Sequence, residues 1–281
     1  MSYIPAADPR VLHAERVVYT TYADSISVFS KGKDLNKFGR NRAVGTNWET
    51  VAELQGTTEN ETYVSTNIID SIVSDNSSDT SKTFTIEGHT IDGSGNLTFV
   101  TQNATTNASD GQTEVTLTTP IARANRMYLK ASGTFNSPQT APAGNVYVYD
   151  NTDGISAGVP VTAAATKMLL VAGETQSEKA ATSVSSVDYW IITYFQAAIG
   201  DATGPTNFAT VRMESRDVEN GGAWRPLGKD YTLWPDTVGV QRFFDPCLIV
   251  PKNHDWRIRA KADGGSTEIY AEAGGWLASV V

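Results

Sequence analysis

Residues that commonly build catalytic and metal sites are scarce in this 281-residue chain. It has one cysteine, Cys247, which excludes an internal disulfide and a metal site built from cysteines. Cys247 lies in an apolar stretch between prolines with no basic neighbour to favour the thiolate, which predicts a buried structural thiol. The three histidines, His13, His89 and His254, have no second ligand-type residue at metal-binding spacing. The sequence therefore predicts no metal site and no cofactor.

Short catalytic motifs are equally scarce. The chain has no phosphate-binding loop and no dinucleotide fingerprint, and Gly93-Ser94-Gly95 lacks the frame of a nucleophile elbow. Asp70, Asp75 and Asp79 offer oxygen ligands for calcium, but their spacing is not that of an EF-hand, and such clusters commonly form turns. Sequence alone leaves open a pair of distant carboxylates for glycoside hydrolysis. The prediction is a protein without enzymatic activity.

Long hydrophobic runs are missing as well. No window approaches the run of about 18 apolar residues that a membrane-spanning helix needs. The richest stretch, residues 189–199, is short, β-branched and aromatic, which predicts a buried strand. The first residues lack the basic and apolar regions of a signal peptide, so we expect synthesis and folding in a cytosol. Neither observation favours contact with a membrane.

Positive charge is scarce overall but concentrated in one segment. The whole chain carries −9, which argues against direct binding of nucleic acid. Residues 31–42 carry +4, so the rest of the chain carries −13. This segment is either a solvated basic linker or a docking segment for an acidic protein partner, with nucleic acid a weaker third reading. Its basic residues are Lys31, Lys33, Lys37, Arg40 and Arg42.

What the chain has in abundance is the alternation of antiparallel strands. In Thr83–Glu87, for example, Phe84 and Ile86 share one face, and residues 112–119 and 210–216 alternate in the same way. Asp-Gly and Asn-Gly pairs between such segments supply the positive φ of tight turns. They predict three hairpins, pairing 83–88 with 96–101, 208–218 with 223–233, and 254–262 with 267–273.

The predicted fold is all-β: two antiparallel β-sandwich or jelly-roll-like domains preceded by an extended N-terminal arm. We place the arm at residues 1–45, where alternation is absent and the basic segment ends. The first sandwich is placed at 46–160 and the second at 161–281, with the boundary in a bland, polar region that follows residue 155.

Tryptophans are concentrated in the second half of the chain. Trp190 and Trp256 lie in predicted strands and are expected in the core. Trp224 and Trp234 flank the loop Arg225-Pro-Leu-Gly228, which makes them candidates for a partner-binding surface.

Several segments, in this order, resemble virion structural proteins of tailed bacteriophages, especially marine and cyanobacterial ones. The likeness spans nearly the whole chain, although each motif alone is ordinary strand-and-turn sequence. The segments are His13–Tyr22, Lys31–Arg40, Thr83–His89, Ile121–Tyr128, Gly144–Tyr149 and Arg257–Ile269.

The resemblance implies a capsid cement, or decoration, protein that binds the outer capsid lattice and stabilises it. Such a protein would be made in the host cytoplasm, bind the major capsid protein, and associate with itself as a homotrimer. The alternative is a tail- or fibre-associated module that binds host surface polysaccharide through the second-half tryptophans. No catalytic residue comes with the resemblance.

Overall fold

The computed structural model describes residues 29–55, 61–130, 140–202, 207–235 and 239–280; for 29–32, 201–202 and 280 it describes the backbone alone. Regular structure in these ranges consists of β-strands and one short 3-10 turn at Ala163–Ala165. Every strand pair is antiparallel, which confirms the predicted all-β class. Among the described residues no helix is long and apolar enough to span a bilayer.

Both ends of the described chain build one sandwich, here called the terminal sandwich. Its first sheet has the order β1 (Phe29–Val44), β19 (Thr267–Val280), β13 (Asp188–Ala202), β17 (Val240–Val250). Its second sheet has the order β12 (Ala181–Ser183), β18 (His254–Ala262), β14 (Ala209–Asp217), β15 (Arg225–Pro226), with β2 (Glu49–Thr50) on β18 and β16 (Tyr231–Leu233) on β14.

The core of the terminal sandwich is aromatic. Trp190 on β13 and Trp256 on β18 are fully buried and meet edge to face at 4.7 Å between ring centroids. Phe195 stacks on Tyr231 at 5.1 Å. Aromatic pairs of this kind add about 0.5–1.5 kcal/mol to the burial of their surface. The prediction that Trp190 and Trp256 lie in the core is confirmed.

The middle of the chain builds a second sandwich, the inserted sandwich, around a core that includes Ile72, Phe84, Ile86, Met127 and Val148. One sheet has the order β11 (Thr166–Leu170), β8 (Val146–Tyr149), β3 (Ile69–Ser74), β6 (Val115–Ile121). The other has the order β5 (Leu97–Thr105), β4 (Thr83–Ile91), β7 (Arg123–Leu129), and a small hairpin pairs β9 (Ile155–Ser156) with β10 (Val159–Pro160).

The predicted boundaries differ from the observed division between the cores. Strand β11 lies beyond the boundary after residue 160, yet Met168 and Leu170 pack into the core of the inserted sandwich. Residues 44 and 51 pack into the terminal core, so the inserted sandwich interrupts the terminal one. The predicted arm overlaps β1, which pairs with β19 along its length; residues 1–28 lie outside the described ranges.

Candidate functional site

A buried carboxylate joins the two sandwiches. Asp255 on β18 has no exposed surface. It accepts hydrogen bonds from Arg123 of the inserted sandwich, at 2.7 Å from Nε and 3.1 Å from Nη2. Arg216 on β14 donates to the same carboxylate from Nε at 3.0 Å and from Nη2 at 2.9 Å, and Ser183 Oγ donates at 2.6 Å. Charge-assisted, two-pronged bonds of this kind fix orientation as well as distance.

Aromatic rings fill the spaces between the guanidinium groups around this carboxylate. The Tyr63 ring lies 5.1 Å from Cζ of Arg123 and 4.7 Å from Cζ of Arg216. The Trp224 ring lies 4.9 Å from Cζ of Arg216 and 3.8 Å from Cζ of Arg257. The five side chains form an alternating arginine–aromatic stack. Cation–π contacts contribute about 0.5–2 kcal/mol each, and more where water is excluded.

This stack changes the interpretation of Trp224. Trp224 is a candidate for a partner-binding surface on the sequence alone, whereas in the structure its ring lies close to two guanidinium groups, those of Arg216 and Arg257. Arg257 is itself fixed by Glu214, whose Oε2 accepts from Nε at 3.0 Å and from Nη2 at 2.9 Å. The indole therefore already has two cationic partners within the chain. These contacts stabilise the junction.

A second cluster of buried polar residues lies where β1 passes the inserted sandwich. Lys37 Nζ donates to the backbone oxygen of Asn125 at 2.9 Å, and the Asn125 side-chain amide contacts Nδ1 of His89 at 2.8 Å. Burial lowers the pKa of His89 to about 3, so the ring is neutral and Nδ1 accepts from the amide. Burial also lowers the pKa of Lys37 to about 7, against a partial opposing effect of Glu87.

Replacing Lys37 with methionine should therefore stabilise the fold in a pH-dependent way. The folded pKa is about 7 and the ordinary value is 10.5, so the unfolded chain binds more protons between these values. The cost of burying Lys37 is complete below pH 7 and disappears as pH rises toward 10.5. Each pKa unit corresponds to about 1.4 kcal/mol, and the variant also loses the hydrogen bond to Asn125. We therefore expect Lys37→Met to raise the free energy of unfolding by about 2 kcal/mol below pH 7. Urea unfolding on both sides of pH 7 measures it.

The matched control is Lys33→Met, on the same strand but with an exposed side chain. This variant should change the free energy of unfolding little at either pH. An equal effect of Lys37→Met at low and high pH, or a loss of stability at low pH, would contradict the assignment of a costly buried ammonium.

The five basic residues predicted as a docking segment fall into different environments on β1. Lys37 is buried, so it is not available to a partner on the folded surface, because its position on the strand faces the inserted sandwich. Lys33 is exposed, with Nζ 6.0 Å from the Phe99 ring. The Lys31 side chain lies outside the described residues. The predicted acidic partner stays a prediction, with Lys33 the best-placed contact of the described four.

Arg40 and Arg42 face a group of carboxylates of the same chain. Arg40 Nε lies 2.9 Å from both Glu53 Oε1 and Glu178 Oε2, and its Nη2 lies 2.7 Å from Glu174 Oε1. Arg42 contacts Glu53 and lies 3.5 Å from Glu174, although its side chain is 55% exposed. The charges of these two arginines are therefore matched within the fold.

The aspartates that were weighed as calcium ligands act as hydrogen-bond acceptors in turns. Asp79 accepts from the backbone nitrogens of Ala143 and Gly144 at 2.8 and 2.9 Å. Asp75 accepts from the backbone and side chain of Asn145 at 2.8 and 2.9 Å. These bonds fix the loops at one end of the inserted sandwich, as expected for turn-forming aspartates.

Strand β17 presents the most exposed large apolar side chain of the described part of the chain. Phe243 is 75% exposed, and the preceding Gln241 and Arg242 are exposed as well. The strand is the last in its sheet and, among described residues, is bonded to β13 alone. Cys247 on the same strand is buried, as predicted, and burial raises the pKa of its thiol to about 11.

Trp234 is placed differently from Trp224. It is 56% exposed, and its ring centroid lies 5.3 Å from that of Phe208. Of the two tryptophans predicted at a partner-binding surface, Trp234 is the one that the structure presents to solvent.

No family model and no curated protein matches the chain. Among solved structures, it is similar to the infectious bursal disease virus Gt strain, with 9% identity and a TM-score of 0.24 over 97% of this chain and 78% of the other. It is also similar to the infectious bursal disease virus VP2 subviral particle, with 10% identity and a TM-score of 0.22 over the same shares. These scores are too low to support an argument about function.

Proposed function

We propose that this chain is a non-enzymatic structural protein of a virus particle: a cement protein that binds the outer capsid lattice through the major capsid protein. The observation that carries the proposal is the position of β17 at the edge of its sheet, among the described strands, with its exposed Phe243. The sequence resemblance to tailed-phage virion proteins supplies the kind of particle. Localisation on the capsid exterior and association as a homotrimer belong to the same proposal.

An exposed edge strand is suited to this work. Its outward N–H and C=O groups can pair with a strand of a neighbouring protein, and an apolar side chain adds specificity and affinity. Natural proteins usually protect such edges, because they invite association. On a capsid lattice, many weak contacts of this kind add up to firm attachment.

The fixed junction between the sandwiches also supports a mechanical role. Arg123 of the inserted sandwich and Arg216 of the terminal sandwich both bind Asp255. His89 is buried and neutral, and a histidine with so low a pKa is a poor proton donor or acceptor near neutral pH. A protein that reinforces a shell gains from a rigid connection between its two bodies.

Replacing Phe243 with serine tests the proposed surface. The variant should fold normally, because the ring is mostly exposed, and should bind capsids that lack this protein roughly tenfold more weakly. Val161→Ser is the matched control, because Val161 is 61% exposed but lies on the inserted sandwich. Retention on capsids can be measured by co-sedimentation. Equal retention of the Phe243 variant and the unchanged protein would contradict a lattice contact through β17.

The second candidate function is a tail- or fibre-associated module that binds host surface polysaccharide. The observation that favours it is the exposed Trp234 beside Phe208, since aromatic faces bind sugar rings. Trp224 supports it less, because its ring already contacts Arg216 and Arg257. Binding to host envelope glycans that disappears in Trp234→Ala would favour this candidate over the cement protein.

A further inference from the structure

Three glutamates from two segments meet beside β1. Glu53 follows β2, and Glu174 and Glu178 lie in the segment between β11 and β12 that returns the chain from the inserted to the terminal sandwich. One carboxylate oxygen from each can be chosen so that all three lie within 4.8 Å of one another. Oxygens that share one calcium ion, each about 2.4 Å from it, lie at most about 4.8 Å apart.

The charges around this group do not balance. Arg40 contributes one positive charge and Arg42 another, against the three glutamates and Glu268 on β19, whose Oε1 lies 4.0 Å from Arg40 Nε. Four carboxylates and two guanidinium groups leave a local charge of −2 when all are ionised. A divalent cation would neutralise it.

Glu53 supplies an independent sign that something is bound here. The residue is 6% exposed, and its Oε2 is buried without a hydrogen-bond partner. An unpaired buried carboxylate oxygen is costly, so it is rarely retained without a ligand. Glu174 and Glu178 keep 27% and 22% of their side-chain surface exposed, which gives an ion access from solvent.

We propose that Glu53, Glu174 and Glu178 bind a calcium ion. The donors are carboxylate oxygens, the ligands that hard cations prefer, without the nitrogen or sulfur that zinc favours. Calcium suits the site better than magnesium, because it tolerates irregular geometry and several protein oxygens. Arg40 lies within 2.9 Å of one oxygen of each glutamate, and Glu53 Oε2 is a buried oxygen that these contacts leave for the ion.

The site would tie the return segment to the terminal sandwich. Glu174 and Glu178 bracket the point where the chain leaves the inserted sandwich, and Glu53 lies close to the point where it enters.

Thermal unfolding of the full chain, first stripped with a chelator, tests the proposal. Calcium chloride at about 1 mM should raise Tm by about 4 °C, and magnesium chloride should raise it less. Glu53→Gln and Glu174→Gln should lose the response to calcium. Asp153→Asn, which removes an exposed carboxylate far from the group in sequence, should keep it.

Terbium supplies a readout that depends on binding alone. It replaces calcium in oxygen sites, and the Tyr270 ring, whose centroid lies 5.8 Å from Cζ of Arg40, is positioned to sensitise its luminescence. Calcium should displace the signal, and Tyr270→Phe should lose the signal but keep the calcium-dependent rise in Tm.

A Tm that does not respond to calcium, or that responds equally in Glu53→Gln, would overturn the proposal. A further outcome would also overturn it: Glu178→Gln stabilises the chelator-stripped chain, and the unchanged protein does not respond to calcium. Removing one carboxylate charge would then be enough to relieve the repulsion, and no ion would be needed.

Discussion

Replacing Asp255 with asparagine is expected to lower the free energy of unfolding by about 3–5 kcal/mol. The carboxylate is fully buried and is the shared acceptor of Arg123 and Arg216. Asparagine keeps the volume but leaves two guanidinium groups without their counter-charge, and removing one member of a buried ionic group costs far more than the net contribution of the group. Denaturant unfolding at neutral pH measures the loss.

Asp230→Asn is the control, because it also removes a carboxylate paired with an arginine. Asp230 is 47% exposed and lies 3.3 Å from Arg212, so its loss should cost at most about 1 kcal/mol. Equal small effects of the two substitutions would show that the Asp255 junction does not hold the sandwiches together. Because the junction crosses between the two cores, Asp255→Asn should also separate their unfolding into two transitions.

Replacing Trp224 with alanine is expected to cost about 3 kcal/mol of stability and to leave any binding to polysaccharide unchanged. The indole contacts Arg216 and Arg257, so its removal takes away two cation–π contacts and the packing against both guanidinium groups. Thermal or urea unfolding measures the first effect, and a glycan array measures the second.

Trp234→Ala is the matched comparison, since that ring is more exposed and lies beside Phe208. We expect it to cost about 1 kcal/mol or less. The opposite pattern, with Trp224→Ala neutral to stability but damaging to ligand binding, would contradict the role given to the arginine–aromatic stack.

The fold class and some of its pairing could be predicted from the sequence because they are local. The hairpin predicted from residues 83–101 forms between β4 and β5, and in its turn the Asp92 carboxylate accepts hydrogen bonds from the backbone nitrogens of residues 94 and 96. Alternation placed Phe84 and Ile86 on the buried face, where they lie. These signals act within a few residues, so one sequence contains them.

Strand β1 could not be predicted in this way. Buried and more exposed positions alternate along this strand, but the buried positions hold Lys37, Gly39 and Asn41 instead of apolar residues. Lys37 and Asn41 find polar partners inside, and Gly39 is required because a Cβ there would lie 2.1 Å from the backbone oxygen of Val51. A polar strand with internal partners has the composition of a linker.

Pairing between strands far apart in the sequence was the other feature that could not be predicted. The predicted hairpin of 254–262 with 267–273 is wrong: β18 pairs with β14, and β19 pairs with β1 and β13 in the opposite sheet. The intervening turn therefore connects two layers instead of two neighbours. Arg123 and Asp255 are separated by 132 positions, so no local pattern indicated that they meet. Arg257 alternates like a solvent-facing residue yet is buried against Glu214.

Quantitative mass spectrometry of purified virus particles tests the central claim most directly. A cement protein of the outer lattice should be present in a copy number comparable with that of the major capsid protein, and electron cryo-microscopy should place it on the capsid exterior. A copy number typical of a tail component, a position confined to the tail, or absence from the particle would contradict the account.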